Sequence, residues 1–288
     1  MSTTTRRLIG AAAVPALAFG LAACTSDDSG SDGDDAAAQR GAHEMVLAAY
    51  EDLDGSSYTM ESTVTVNDLD LMNMSTVVDG ESTHSTQDIS MSAIIDAMGE
   101  DYSEDPEMAE MMESMFADMH TEAILVDKVI YMQFAGGMFD AMSEDFGEDA
   151  WFTLDLAEDS HLGDIYRQFG SFDLAEQTEL MLTDLADVEE TGDGVYTGTL
   201  SPDSEAMQSL LGATGGMANG VEIPEDIEVT ITLDDDDLLK TIEMTLPETE
   251  GMVIDMVSEV TEIGGDYAIA APESDNLHSF EEFAGAMQ

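Results

Sequence analysis

The stretch SYTMESTVTVN, Ser57 to Asn67, alternates: Tyr58, Met60, Val64 and Val66 fall on one side of an extended chain, and Thr59, Glu61, Thr63 and Thr65 on the other. A period of two fits a half-buried strand and does not fit a helix. The pattern returns in LMNMSTVV, where Met72, Met74, Thr76 and Val78 share a side before Gly80, and continues over 84–92 and 121–134. WFTLDL, from Trp151 to Leu156, adds a short run, and DVEETGDGVYTGTLS reads as a hairpin turning at Gly192 to Gly194. In the closing third, Val229, Ile231 and Leu233 alternate up to an acidic turn at Asp234 to Asp237. Ile242, Met244 and Leu246 follow, then a turn from Pro247 to Gly251 and a last strand with Met252, Ile254, Met256 and Val260.

Successive strands with one apolar side must bury that side against something. Helical spacing supplies candidates at Ala42 to Leu53 (Met45, Val46, Ala49 and Tyr50, stopped by Gly55), Leu162 to Phe169, Leu174 to Leu185 and Ser204 to Leu211. The class is α+β: an antiparallel sheet with helices covering its apolar face.

The N-terminus reads as an export signal. Arg6 and Arg7 form a basic region, Leu8 to Leu21 an apolar one, and Leu21-Ala22-Ala23-Cys24 a cleavage segment. Fourteen apolar residues fall short of the roughly 20 that cross a bilayer. Leu-Ala-Ala-Cys resembles a bacterial lipobox, which assigns 1–23 to a lipoprotein signal peptide and makes Cys24 the lipidated N-terminus. Cys24 is the sole cysteine, so no internal disulfide competes for it. Multiple acyl chains on one residue, at roughly 0.8 kcal/mol per buried CH₂, anchor stably where one chain does not. The arginine pair fits twin-arginine export loosely, and the export route stays open. Thr25 to Gly41, TSDDSGSDGDDAAAQRG, is small, polar and acidic, so 24–41 is expected to be a disordered tether with a reach of roughly 20–25 Å. The product is expected on the extracytoplasmic face of the cell membrane.

Charge excludes whole classes of function. The chain carries 64 acidic residues against 6 basic ones, and two of the six, Arg6 and Arg7, leave with the signal. Nucleic acid is excluded, because phosphates need a basic surface. So is broad electrostatic adhesion to anionic lipid heads. Adaptation to high salt accounts for the excess, since a short Debye length screens the self-repulsion. Neither Glu100 to Asp105 nor Asp234 to Asp237 has the spacing of a calcium loop.

The segment DPEMAEMMESMFADMH, Asp105 to His120, holds five methionines. On a helix, Met108, Met111, Met112, Met115 and Met119 cluster within an arc of about 100°, an ordinary buried stripe. Asp105 suits the N-cap and Pro106 the first helical position. Thioethers select Cu(I), which gives one alternative: a methionine-based copper chaperone or buffer. Against it, methionine also recurs where other chains use leucine, as at Met60, Met74, Met244 and Met256. The five histidines, His43, His84, His120, His161 and His278, show no metal spacing, and no nucleophile elbow or phosphate loop occurs. The residues thus point to no metal, no cofactor and no enzyme.

A lipobox, a short tether, a helix ending before a Ser57-Tyr58-Thr59 strand, the Trp151-Phe152-Thr153-Leu154 run and the terminal VTEIGGDYAIAAPESDN together resemble the actinobacterial LppX/LprAFG lipoproteins, relatives of the LolA-like lipid carriers. The resemblance spans nearly all of 42–288. It implies a curved antiparallel half-barrel whose concave face, covered by helices, encloses an apolar cavity for a lipid or glycolipid. A glycine turn and proline-bearing tail would fall at Gly264, Gly265 and Pro272. The acidic methionine-rich stretch 94–120 departs from it as an insertion or lid. Tyr58, Met60, Val64, Val66, Met72, Met74, Met111, Met115, Ile231, Met244, Ile254 and Met256 would line the cavity of a monomer. A third possibility is an anchored acidic surface protein without a ligand.

Overall fold

A computed structural model describes residues 32–90, 118–137, 139–140, 146–147, 149–156, 174–208, 226–249 and 252–286. The expected signal peptide, Cys24, the first part of the expected tether, the methionine-rich stretch through 117 and the expected helix at 162–169 lie outside them, as does the part of the expected helix at 204–211 beyond Gln208. No described helix is long and apolar enough to cross a membrane.

Helix α1 (Asp32–Asp54) leads into the meander β1 (Tyr58–Val66), β2 (Leu69–Asp79), β3 (Ser82–Ile89), β4 (Met119–Val126), β5 (Val129–Ala135) and β6 (Trp151–Asp155). Helix α2 (Leu174–Asp184) follows, then a second meander of β7 (Ala186–Gly192), β8 (Val195–Leu200), β9 (Ile227–Leu233), β10 (Leu239–Thr249) and β11 (Met252–Ile263). The chain closes with β12 (Leu277–Ser279) and helix α3 (Phe280–Ala286). These twelve strands form one open sheet in the order β12-β6-β5-β4-β3-β2-β1-β11-β10-β9-β8-β7. The two meanders join where β1 pairs with β11, antiparallel, from Tyr58↔Ile263 to Val66↔Ile254. The pairing of β12 with β6 is parallel.

Two differences from the sequence reading have local causes. Helix α1 begins at Asp32, inside the stretch expected to be a tether. Asp32, Asp34 and Asp35 favour a helix N-terminus, and Ala36 to Ala38 are the strongest helix formers. The run 121–134 is two strands, because Asp127 and Lys128 both adopt positive φ, 53° and 65°. Asn67 and Asp68, at 51° and 66°, turn β1 into β2 in the same way. Two consecutive left-handed residues make the type I′ turn that matches strand twist. At the other end of β5, Gly136 takes φ 80°, and a side chain there would collide with the Asp118 carbonyl oxygen.

Register makes the faces explicit. One row across the sheet reads Val260, Met60, Thr76, Ser85, Ala123, Met132, Phe152, and its neighbour reads Ile242, Ser258, Ser62, Met74, Gln87, Thr121, Phe134. The third row, toward the rim, reads Met244, Met256, Val64, Met72, Ile89, Met119. These residues lie on the inner face. On its α1 side, Val46, Tyr50 and Leu53 of the helix pack in one core with Tyr58, Leu182, Val188, Val229, Ile231 and Leu239. His43 Nε2 meets the Leu182 carbonyl at 2.8 Å and so ties α1 to α2.

The outer face is acidic. Glu61 stands directly opposite Glu259, both exposed, and like charges in cross-strand pairs are destabilising. Replacing Glu259 with Lys is expected to gain about 0.2–1 kcal/mol at low salt. The gain should shrink as salt rises. Urea midpoints of the two proteins at low and molar salt measure both effects. On the inner face, the Tyr196 phenol is pushed up chiefly by burial, with Glu190, its partner on β7, and Asp237 adding to the effect. Its contribution makes folding less favourable as pH rises through the ordinary tyrosine range, because the unfolded chain ionises first.

Candidate functional site: the inner face of the sheet

Among the described residues, the inner face carries two hydrophobic cores that share no residue. One lies under α1 and α2. The other lies under α3 and joins Ala123, Ile130, Met132, Phe152 and Leu154 of the sheet to Phe280 and Phe283 of the helix. Its rings are closely packed: Phe134 lies 4.9 Å from Phe283 and 5.0 Å from Phe139, and Phe152 lies 4.6 Å from Phe283, centroid to centroid.

Between the cores, β1 to β4 present apolar inner-face residues that belong to neither: Val64, Val66, Met72, Met74, Ile89 and Met119. Val64, Val66 and Met74 are buried, while Met72, Ile89 and Met119 are half-buried. Deeper along the same strands runs a polar seam. Ser62 and Ser258 hydroxyls lie 2.8 Å apart, Thr76 and Ser85 hydroxyls 3.2 Å apart, and the Gln87 amide donates to the Met72 sulfur. Ser62, Thr76 and Ser85 are buried, so mutual pairing replaces the water they lose. Across β1 to β6 and β8 to β11, no inner position established by these registers holds a charged residue.

The ten expected lining residues that fall in the described chain, Tyr58, Met60, Val64, Val66, Met72, Met74, Ile231, Met244, Ile254 and Met256, all project to this face. They do not form one wall. Tyr58, Met60, Ile231 and Met244 are buried in the α1 core, with Ile254 and Met256 packed against it. The other four belong to the strip between the cores. Met111 and Met115 lie outside the described residues. Met119 leaves the helical stripe assigned to it, because it opens β4 and pairs with Ile89 on the inner face. His120 then turns outward, where its Nδ1 meets Asp88 Oδ1 at 2.8 Å. Sequence reasoning missed the hydroxyl seam, although serine and threonine at inward positions of the alternating runs were its signal.

The aromatic core leaves a partly open cavity of about 20 Å³ lined by Phe134, Phe139, Phe146, Phe152 and Phe283, room for about one water molecule. A shallower polar depression of about 210 Å³ opens on the outer face between Glu61, Thr63, Asn73, Ser75, Thr86 and Asp88. No group of three or more acidic, histidine or cysteine side chains suited to a metal occurs among the described residues.

Fold and face together define an open, mostly antiparallel sheet with one largely apolar side, uncharged at the paired positions of β1 to β6 and β8 to β11 and divided between two helix-packed cores. Among solved structures, a LolA superfamily protein from Nitrosomonas europaea aligns over 82% of this chain and 96% of its own, at 10% identity and a TM-score of 0.27. A GphF dehydratase variant aligns over 77% and 82%, at 12% identity and a TM-score of 0.19. Likenesses this loose define neither family nor activity. No protein-family model and no curated protein matches the chain.

Proposed function

We propose that this chain is a membrane-anchored extracytoplasmic lipoprotein that binds and carries a lipid or glycolipid on the inner face of its sheet. One observation carries the reading: a chain with 64 acidic residues keeps every register-defined inner position from β1 to β6 and β8 to β11 free of charge. Acyl chains need that environment. The half-buried methionines at the rim suit the task, because flexible, polarizable side chains repack around varied apolar ligands. The seam of Ser62, Ser258, Thr76, Ser85, Gln87 and Thr121 adds hydroxyl and amide groups to the same face. Organic extraction of the purified protein followed by mass spectrometry tests the reading. A bound amphiphile at a fixed stoichiometry is expected; a protein that yields none and takes up none on incubation refutes it.

The anchor has its own test. Replacing Cys24 with Ala removes the acylated residue, and the protein is expected to move from the membrane fraction to the soluble extracytoplasmic fraction. Detergent phase partitioning of wild type and variant measures the shift. Continued partitioning of the variant with detergent would overturn Cys24 as the attachment point.

A further inference from the structure

The last strand and helix are attached to the body in an unusual way. After β11, Gly264 turns the chain with φ 79°, and its amide donates to the Ser57 carbonyl. Residues 265–276 then run without regular structure from β1 to β6. At one end the Thr59 hydroxyl donates to the Tyr267 oxygen, and at the other the Trp151 amide donates to the Asn276 carbonyl. Strand β12 is three residues long. It lies at the sheet edge and supplies the sole parallel pairing among the described strands, Leu277↔Trp151 to Ser279↔Thr153. Helix α3 is seven residues long, too short to persist without tertiary packing. What holds it is Phe280 and Phe283, 3% and 4% exposed.

Those two rings cover the apolar floor formed by Ala123, Ile130, Met132, Phe134, Phe152 and Leu154, which continues, through Thr121 and Gln87, the rows that cross the strip between the cores. The packing is imperfect, leaving the 20 Å³ cavity among Phe134, Phe139, Phe146, Phe152 and Phe283. Among the described residues this core shares none with the one under α1, so the apolar contacts that hold α3 are separate from those that hold the main body. We propose that β12 and α3 are a displaceable plug: Phe280 and Phe283 occupy an aromatic slot on the β4 to β6 floor that an acyl chain takes when ligand loads. The inference rests on the lipid-carrier reading and adds to it the place where the chain lies and the element that must move. Phe280 and Phe283 offer the floor the same apolar contact as an acyl chain, so loading exchanges one apolar occupant for another.

The test holds the plug shut reversibly. Thr153→Cys with Ser279→Cys places two thiols at directly paired positions of β6 and β12, within the spacing that a disulfide spans. Monoolein, an uncharged monoacyl amphiphile, is the probe, and binding is counted by native mass spectrometry. The oxidised double variant is expected to bind at least about tenfold more weakly than the same protein after reduction, and the reduced form to match wild type. In wild type, Trp151 is the single tryptophan and faces Leu277 across the pair, so its emission should shift as monoolein binds. Equal binding by oxidised and reduced protein, with Trp151 emission unmoved, would overturn the plug while leaving the carrier reading intact. Failure of wild type itself to bind any amphiphile would remove the carrier reading and the plug with it.

Discussion

Ile231→Ala is expected to destabilise the whole protein by about 2–5 kcal/mol, the cost of a large-to-small change in a closed core. Ile231 is fully buried on β9, at the centre of the core that α1 and α2 close. Its neighbours in register are Tyr196 on β8 and Ile242 on β10, both buried. Their backbones are fixed in the ladder, which limits how far the two side chains can fill the vacated space. A urea titration followed by circular dichroism should show the midpoint falling with an unchanged slope, since the surface exposed on unfolding is the same. A loss under about 1 kcal/mol, well below the range for such a change, would mean that the α1 core is looser than the burial of Ile231 indicates.

Phe283→Ala carries a comparable cost, about 3–5 kcal/mol, but a different signature. The ring sits within 4.6 to 5.4 Å of Phe134, Phe152 and Phe280, centroid to centroid, and aromatic pairs add about 0.5–1.5 kcal/mol beyond buried area. All of that energy is confined to the core under α3. The variant is therefore expected to unfold in two steps, with β12 and α3 released first and the α1 core melting near the wild-type midpoint. Trp151 emission should report the first step and far-ultraviolet dichroism the second. Coincident transitions from both probes would show that the two cores act as one cooperative unit.

Much of the sheet is legible in the sequence because the inner positions of β1, β2, β9, β10 and β11 are uncharged and their outer positions largely polar, so period two survives along these strands. Pairing is not legible. Nothing in the composition of β1 says that its second neighbour is β11. The turns at Asn67-Asp68 and Asp127-Lys128 lack the glycine that usually marks a left-handed pair, so one run conceals two strands. Strand β12 is too short to show a period, and α3 shows only Phe280 and Phe283 three residues apart. The spacing of Met119 suits a helical stripe, but pairing with Ile89 decides otherwise. The ten described residues expected to line a cavity do fall on one face. Which of them are packed under α1 and which lie in the strip depends on where the helices settle, and one sequence does not encode that visibly.

The position of β1 also sets an order of assembly. It precedes the other strands in the chain, yet it lies in the interior of the sheet, and its bond to β11 joins residues 196 apart, as at Ser62 and Ser258. The β1 to β6 meander can form from neighbours in sequence, whereas β1 to β11 must wait until nearly the whole chain is available, a slow, non-local closure. Until then β1 presents a nine-residue edge with unsatisfied amides and carbonyls, a template for pairing with other chains. Chains truncated before Met252 keep that edge open and should therefore aggregate more than the full-length chain, a difference that light scattering measures.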